Sequence, residues 1–230
     1  MFCLSLYCQS VIQIIMSNLH LWDKSDLENM EQRFRAQFVN SLPGLKTPFL
    51  VGTQNSQGAT NLAIVSSVTH LGSSPALMSM VMRPNTVERH TIENLKENGF
   101  YTFNAVDINS IAKAHQTSAR YPRDISEFKA CGFNEIWEPD FEAPFVKESV
   151  LQIGLKLVQI LHLEINGCDL VIGEIVIVKA PFQSLSDDGS INIDQLDLAS
   201  VSGLDRYHKS QKVMRLSYAK PDLKPLVIDK

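Results

Sequence analysis

The alternation of apolar and polar residues divides the chain into short segments, and the first of them is helical. Apolar residues recur there at three- and four-residue intervals, which predicts one amphipathic helix with a core-facing stripe; the stripe consists of Leu27, Met30, Phe34, Phe38 and Leu42. Ser25 and Glu28 have the spacing of a capping box at the start of this helix. Pro43 and Gly44 predict its end.

Short runs of β-forming residues follow, separated by Gly, Asn, Ser and Pro. These runs predict strands; they cover residues 49–51, 62–68, 77–82 and 101–106. Helical spacing returns between them, and the predicted helices cover residues 86–98, 109–119 and 126–130. Gly99 and Gly132 stand where the first and third of these helices are expected to end. The inward face of the first consists of Val87, Thr91, Ile92 and Leu95.

The clearest strand pattern lies between residues 155 and 178. Its first half places apolar residues mainly at odd positions, which is typical of a strand with one exposed face. Asn166 and Gly167 are the preferred pair for a two-residue type I′ turn, so we predict a hairpin. Residues 170–178 are apolar at odd and even positions alike, which predicts a return strand covered on both faces.

About seven short strands with a few helices between them predict a mainly β protein with added helices (α+β), built on an antiparallel barrel. Strand–helix–strand alternation is not sustained, which argues against a doubly wound sheet. At 230 residues with 44% hydrophobic residues, the chain is long enough for one sizeable core and is not of disordered composition. We expect residues 220–230 to form an extended C-terminal arm.

Charge and cysteine content narrow the function classes. A formal net charge of −4 gives no electrostatic basis for nucleic acid or an anionic membrane as a partner. The four cysteines show no C-x-x-C spacing and the six histidines no paired spacing, so we expect no metal site. Reduced thiols and the lack of a signal-peptide pattern predict a cytoplasmic protein.

The first fifteen residues are apolar and uncharged, and at Met16 the sequence changes to that of an ordinary cytoplasmic start. We therefore expect residues 1–15 to be a non-native or flexible extension, and residues 16–219 to form the main domain. The alternative is a genuine hydrophobic arm that docks on the body of the protein.

Familiar catalytic motifs are missing, whereas hydrogen-bond donors are concentrated in residues 60–104. The sequence contains no G-x-G-x-x-G, no P-loop and no G-x-S-x-G. Hydroxyl residues end one predicted strand, at Ser66, Ser67 and Thr69, and Arg83 and Arg89 flank the start of the next helix. Guanidinium and hydroxyl donors are the groups that a phosphorylated ligand requires. The alternative is that these are turn residues and two solvated arginines.

In these segments the sequence resembles the flavin reductase-like family, whose members bind FMN in a split β-barrel. The resemblance runs from about Trp22 to His208, and its strength lies in the order and spacing of the motifs. The matching segments are residues 60–67, 83–95, 99–104, 114–122, 126–128, 166–167, 172–175 and 202–208.

The resemblance implies an antiparallel split β-barrel of the FMN-binding type, a homodimer and one FMN per subunit at or near the interface. By position, the implied cofactor-binding residues are Asn61, Ser66, Ser67, Val68, Thr69, Arg83, Arg89, His90, Thr91 and Asn104. Arg83, Arg89 and Thr91 would bind the phosphate, whereas Asn104 would either reach the cofactor or cap a strand. The implied substrate side, or a wall from the partner subunit, consists of His115, Tyr121, Tyr207 and His208.

The function implied by the resemblance is transfer of a hydride from NADH or NADPH to the flavin, and of electrons onward to a small-molecule or protein acceptor. FMN carries that chemistry, so no protein nucleophile is required. The alternatives are a flavoredoxin-like electron carrier without nicotinamide activity and a binding module for phosphorylated ligands without a redox role.

Overall fold

The computed structural model describes residues 19–84 and 86–229; the expectations for residues 1–15 and Met16 lie outside them. The chain divides into two compact units, the first ending at Leu42 and the second beginning at Pro43. No helix among the described residues is long and apolar enough to cross a membrane.

The described part of the first unit, residues 19–42, contains two helices where one was predicted. Helix α1 spans Lys24–Asn29 and helix α2 spans Gln32–Ser41. Met30 is extended and Glu31 caps α2 by accepting hydrogen bonds from the backbone of Arg33 and Phe34, so the amphipathic stripe is interrupted. The capping box is also wrongly placed in our prediction: Asp23 and Asp26 form it, not Ser25 and Glu28.

The described residues of the second unit form thirteen strands, three further α-helices and two short 3-10 helices, Phe182–Ser184 and Ile193–Leu196. The helices are α3 (His90–Asn98), α4 (Ile111–Gln116) and α5 (Glu127–Cys131). The first seven strands are β1 (Phe49–Gln54), β2 (Thr60–Val65), β3 (Thr69–Ser73), β4 (Ala76–Met82), β5 (Phe100–Ala105), β6 (Glu135–Ile136) and β7 (Phe145–Val146). The others are β8 (Gln152–Leu163), β9 (Cys168–Lys179), β10 (Ala199–Ser202), β11 (Arg206–Lys209), β12 (Arg215–Leu216) and β13 (Val227–Asp229). The predicted C-terminal arm thus includes a short strand, because β13 pairs with β12.

Seven strands form the main sheet in the order β2-β1-β5-β8-β9-β4-β3, and every neighbouring pair is antiparallel. This confirms the prediction of a mainly β, antiparallel protein with added helices. One core cluster takes Val51, Tyr101 and Phe103 from the strands and Ile92 and Leu95 from α3. On the other face of β1 and β2, a second cluster packs against α4 and α5. Strand β2 therefore lies between α3 on one side and α4 and α5 on the other.

The bounds of all three helices differ from the prediction, those of α5 by one residue at each end. Helix α3 begins at His90 rather than at residue 86, because the backbone of Arg89 is not helical and its N–H donates to Glu93 Oε1 at 3.1 Å. Helix α4 is shorter than residues 109–119. Gly99 and Gly132 do end α3 and α5, both in the left-handed region that glycine adopts without a Cβ penalty.

The hairpin of β8 and β9 exists, but its turn is not the predicted type I′ turn. Leu163 pairs with Cys168, so four residues, 164–167, form the loop. Gly167 alone in this loop has a positive φ, and its N–H donates to Leu163 O at 2.8 Å. The second face of β9 is also not covered as predicted, since Val176 and Val178 are 48% and 55% exposed in the single chain.

Candidate functional site

The connection from β2 to β3 is held against β4 by a serine. Ser67 Oγ donates to Val81 O at 3.0 Å and accepts from Val81 N at 3.1 Å. Ser66 and Val68 are half-buried, and Thr69 is exposed at the start of β3. The hydroxyl of Ser67, which was predicted to bind the cofactor, therefore bonds to the backbone of β4. These two bonds also fix the β2–β3 connection in position.

The segment after β4 fixes the guanidinium of Arg89. Arg89 Nε donates to Pro84 O at 2.9 Å, and the side chain is half-buried. Pro84 in turn lies against the loop of the β8–β9 hairpin, where a Cβ on Gly167 would meet Pro84 Cβ at 3.5 Å. Because Nε is used in this way, the two Nη groups of Arg89 remain available for a ligand.

The start of α3 is tied to β2 and to the loop after α4. Asn61 Nδ2 donates to Thr91 Oγ1 at 3.0 Å, and both side chains are buried. The carboxylate of Glu93, which accepts the Arg89 backbone N–H, also pairs with Arg123. Asn61, His90 and Arg123 line one small crevice at this junction. The sequence-predicted residues Asn61, Arg89, His90 and Thr91 thus meet at the first turn of one helix.

Arg83, Arg89 and Arg120 form what we call the arginine cluster. Arg83 directly precedes Pro84, whose carbonyl accepts from Arg89, and Arg120 lies on the loop that Arg123 ties to Glu93. Burial lowers the pKa of Arg89, and the positive charges of Arg83 and Arg120 lower it further, in agreement with this placement. Within residues 19–84 and 86–229, none of the three is in an ion pair with a carboxylate. Like charges without counter-ions repel one another, so an anion would stabilise this arrangement. Arg120 was not among the predicted site residues.

A second polar cluster lies beside β2, on the side of α4. His115 Nδ1 lies 3.0 Å from Tyr207 Oη, with the two rings edge to face. Gln116 Nε2 donates to Tyr121 Oη at 3.1 Å. Tyr121 and Tyr207 pack with Ile64 on the second core cluster, two residues before Ser66. Burial and, to a smaller extent, Asp205 raise the pKa of Tyr207.

The four residues predicted for the substrate side are therefore only partly together. His115, Tyr121 and Tyr207 are neighbours within one chain. His208 instead lies 2.8 Å from Ser202 Oγ through Nε2, and its side chain is exposed on the β10–β11 hairpin.

Asn104 has a role in the scaffold. Its side chain is fully buried, its Nδ2 donates to Leu50 O and Thr102 Oγ1, and its Oδ1 accepts from Val146 N at 2.9 Å. These bonds join β1, β5 and β7. Of the two interpretations offered for Asn104, the structural one accounts for its contacts, and no polar atom of the side chain is exposed to a ligand.

Comparison with known proteins identifies a family and solved structures that share this architecture. Residues 44–188 match the model of the family described as flavin reductase like domain. A solved structure from Shewanella frigidimarina NCIMB 400, assigned as a flavin reductase with split barrel domain, is 48% identical in sequence; the match covers 88% of this chain and 100% of that chain with a TM-score of 0.84. A search of curated proteins gave no match.

Two more distant structures share the fold. Nitrilotriacetate monooxygenase component B from Bacillus cereus is 22% identical, with a TM-score of 0.77 over 86% of this chain and 100% of that chain. Flavoredoxin of Desulfovibrio vulgaris (Miyazaki F) is 22% identical, with a TM-score of 0.64 over 78% of this chain and 92% of that chain. Together with the antiparallel main sheet, these matches confirm the split β-barrel.

Proposed function

This chain belongs to the flavin reductase-like family, and we propose that it is an oxidoreductase that binds FMN and transfers electrons from NADH or NADPH to an acceptor. The observation that carries the proposal is the fixed guanidinium of Arg89, held at Pro84 O with its Nη groups free, inside a cluster of three arginines that lack carboxylate partners among the described residues.

The donor set fits the phosphate end of FMN. A phosphate monoester carries nearly two negative charges near neutral pH and three acceptor oxygens, and an arginine fork binds two such oxygens at once. Arg83 and Arg89 supply forks of this kind, and Arg89 directly precedes α3, whose first turn is hydrogen-bonded to β2. Thr91 contributes indirectly, since its Oγ1 accepts a bond from Asn61 and so orients the first turn of the helix.

The other end of the ligand would lie along the β2–β3 connection. Ser66, Val68 and Thr69 follow the strand that carries Ile64, and Tyr207, the partner of His115, packs in the same cluster as Ile64. When bound, FMN supplies the redox chemistry by accepting a hydride and releasing electrons singly or in pairs. The protein residues bind the ligand, orient it and limit the access of water to one face.

A flavoredoxin-like electron carrier is the second candidate. It is favoured by the similarity in fold to flavoredoxin and by the absence of a G-x-G-x-x-G fingerprint in the sequence. This carrier would bind FMN through the same residues but receive its electrons from a partner protein rather than from a nicotinamide.

Anaerobic mixing of the purified protein with FMN and then with NADH or NADPH tests both candidates. We expect rapid loss of the oxidised flavin's visible absorption with one of the two nicotinamides. Loss of absorption only after dithionite or a partner reductase would support the electron carrier. Failure to bind any flavin would overturn both candidates and leave a binding module for other phosphorylated ligands.

We also propose that the protein is a homodimer, supported by apolar side chains that one chain leaves uncovered on the β8–β9 hairpin. Val158, Val176 and Val178 are 56%, 48% and 55% exposed, although they belong to the longest strands of the sheet. An exposed apolar surface of this kind is typical of an interface.

The homodimer is tested by replacing Val176 and Val178 with Lys. Because two charges would then have to be desolvated in the interface, we expect the double variant to be a monomer by analytical ultracentrifugation. Val213→Lys, at a position 78% exposed outside the main sheet, is the control and should stay dimeric. A monomeric wild-type protein would contradict the proposal.

We also propose a cytoplasmic location, which the thiols support. Cys131 and Cys168 are both free, which is usual in a reducing cytoplasm.

The acceptor of the electrons, a small molecule or a protein, would approach the face of the site that includes His115.

A further inference from the structure

The loop between α4 and α5 is attached to the candidate site at two points. At its start, the backbone N–H of Ile64 donates to Thr117 Oγ1 at 3.0 Å, which ties the loop to β2. Near its end, Arg123 pairs with Glu93 on the first turn of α3. The loop therefore spans the gap between the β2 side of the site and the start of α3, and Arg120 lies midway between its two attachments.

Glu93 brings this loop close to Arg89. The same carboxylate accepts the Arg89 backbone N–H at 3.1 Å and pairs with Arg123, so one acidic side chain holds both segments together. The negative charge of Glu93 is thereby paired with Arg123. Arg120, in contrast, is exposed and has no ion pair among the described residues. The effect of Arg120 on the pKa of Arg89 agrees with this proximity.

We propose that Arg120 is the third guanidinium of the phosphate site and binds the terminal phosphate of FMN together with Arg83 and Arg89. This inference rests on the proposed function. Two arginines balance the charge of a phosphate monoester, and a third, on the loop that Arg123 ties to the first turn of α3, would supply further donors to its three oxygens. Arg120 would thus connect the loop after α4 to the ligand.

The test compares FMN with riboflavin, which has the same ring and ribityl chain but no phosphate. Dissociation constants are measured by quenching of flavin fluorescence for the wild type, Arg120→Gln and Arg120→Lys. We expect Arg120→Gln to bind FMN about tenfold more weakly and riboflavin equally well. Arg120→Lys retains the charge and should recover part of the FMN affinity without restoring the two-pronged geometry.

A charge control separates a local contact from a general loss of positive charge. Lys147 is exposed in the loop after β7 and its side chain has no described partner, so Lys147→Gln should leave both constants unchanged. Thermal unfolding without ligand should be the same for all variants, because the side chain of Arg120 makes no described hydrogen bond within the protein.

Each outcome bears on a different proposal. An unchanged FMN affinity in Arg120→Gln, or equal loss of FMN and riboflavin affinity, would overturn the role of Arg120 and leave the proposed function in place. A wild type that binds FMN no better than riboflavin would overturn the phosphate role of all three arginines. A wild type that binds neither flavin would overturn the proposed function and this inference together.

Discussion

Two polar regions of this molecule, both rich in hydrogen-bonding groups, differ in what those groups bind. Around Asn104, each amide contact is made to a strand of the same chain, and the side chain is fully buried. In the arginine cluster, only Arg89 Nε has a described partner, and three positive charges lie together without a carboxylate. A region whose hydrogen-bonding groups all have partners within the chain holds the fold together. A region of like charges without such partners is where a ligand is expected.

The substitution with the largest expected effect is Asn104→Ala, which distinguishes a role in stability from a role in ligand binding. The change leaves Val146 N and Leu50 O without their partner in a buried position, and each such group costs about 1–3 kcal/mol. We therefore expect the free energy of unfolding to fall by roughly 2–4 kcal/mol in denaturant titrations, while FMN affinity of the folded protein stays the same. Asn109→Ala, at an exposed position, is the matched control. A stable Asn104→Ala protein with weak FMN binding would move Asn104 into the site.

The opposite pattern is expected in the arginine cluster. Arg89→Ala removes a charge-assisted contact worth about 1.5–3 kcal/mol, so FMN affinity should fall roughly ten- to a hundredfold. The free energy of unfolding without ligand should change by only about 1 kcal/mol, since one hydrogen bond to Pro84 O is lost. Isothermal titration and denaturant unfolding measure the two quantities. Wild-type FMN affinity in both Arg89→Ala and Arg83→Ala would show that these residues do not bind the phosphate.

A smaller effect is expected from a buried carboxylate that belongs to the scaffold. Burial raises the pKa of Glu127, although its Oε2 accepts a hydrogen bond from Leu62 N at 3.0 Å. The folded protein thus holds the proton more tightly than the unfolded chain, so this group's contribution to stability falls as pH rises from 4.5 through the raised pKa. Glu127→Gln can keep the bond to Leu62 and should flatten that dependence and stabilise the protein at pH 7. Denaturant titrations between pH 4.5 and 7 measure how the free energy of unfolding depends on pH. The same pH profile in Glu127→Gln and the wild type would show that Glu127 is not the group responsible.

The sequence predicted the elements of the sheet better than it predicted their ends. Most strands of the main sheet and the glycines that end α3 and α5 follow from local composition, and the structure confirms them. The strand predicted over residues 62–68 ends at Val65, and β3 and the short strands β6, β7, β10 and β11 were not predicted. The split between α1 and α2 depends on two acidic caps competing with a continuous apolar stripe, and the four-residue loop at residues 164–167 depends on how β8 and β9 pair. Neither outcome is fixed by the short sequence pattern on which the predictions rested.

The candidate site shows the same limit. The resemblance named Arg89 and Thr91, and the structure brings them to one helix start. It also named Ser67 and Asn104, whose polar atoms contact backbone groups of the same chain. Arg120 was missed because its relation to Arg89 depends on the pairing of Arg123 with Glu93, a contact between residues 30 positions apart in the chain. A loop arginine followed three residues later by a second arginine was the signal available in the sequence.

The contact between Pro84 and Gly167 links two distant parts of the second unit. The hairpin loop lies beside the proline whose carbonyl orients Arg89. A Cβ at position 167 would meet Pro84 Cβ at 3.5 Å, an ordinary van der Waals contact, so the cost of a side chain there comes from the backbone φ of +69°. A change in the backbone of this turn would therefore reach, through Pro84, the carbonyl that holds the Arg89 guanidinium. Loop exchange between relatives of this protein should therefore be judged by its effect on ligand affinity as well as on folding.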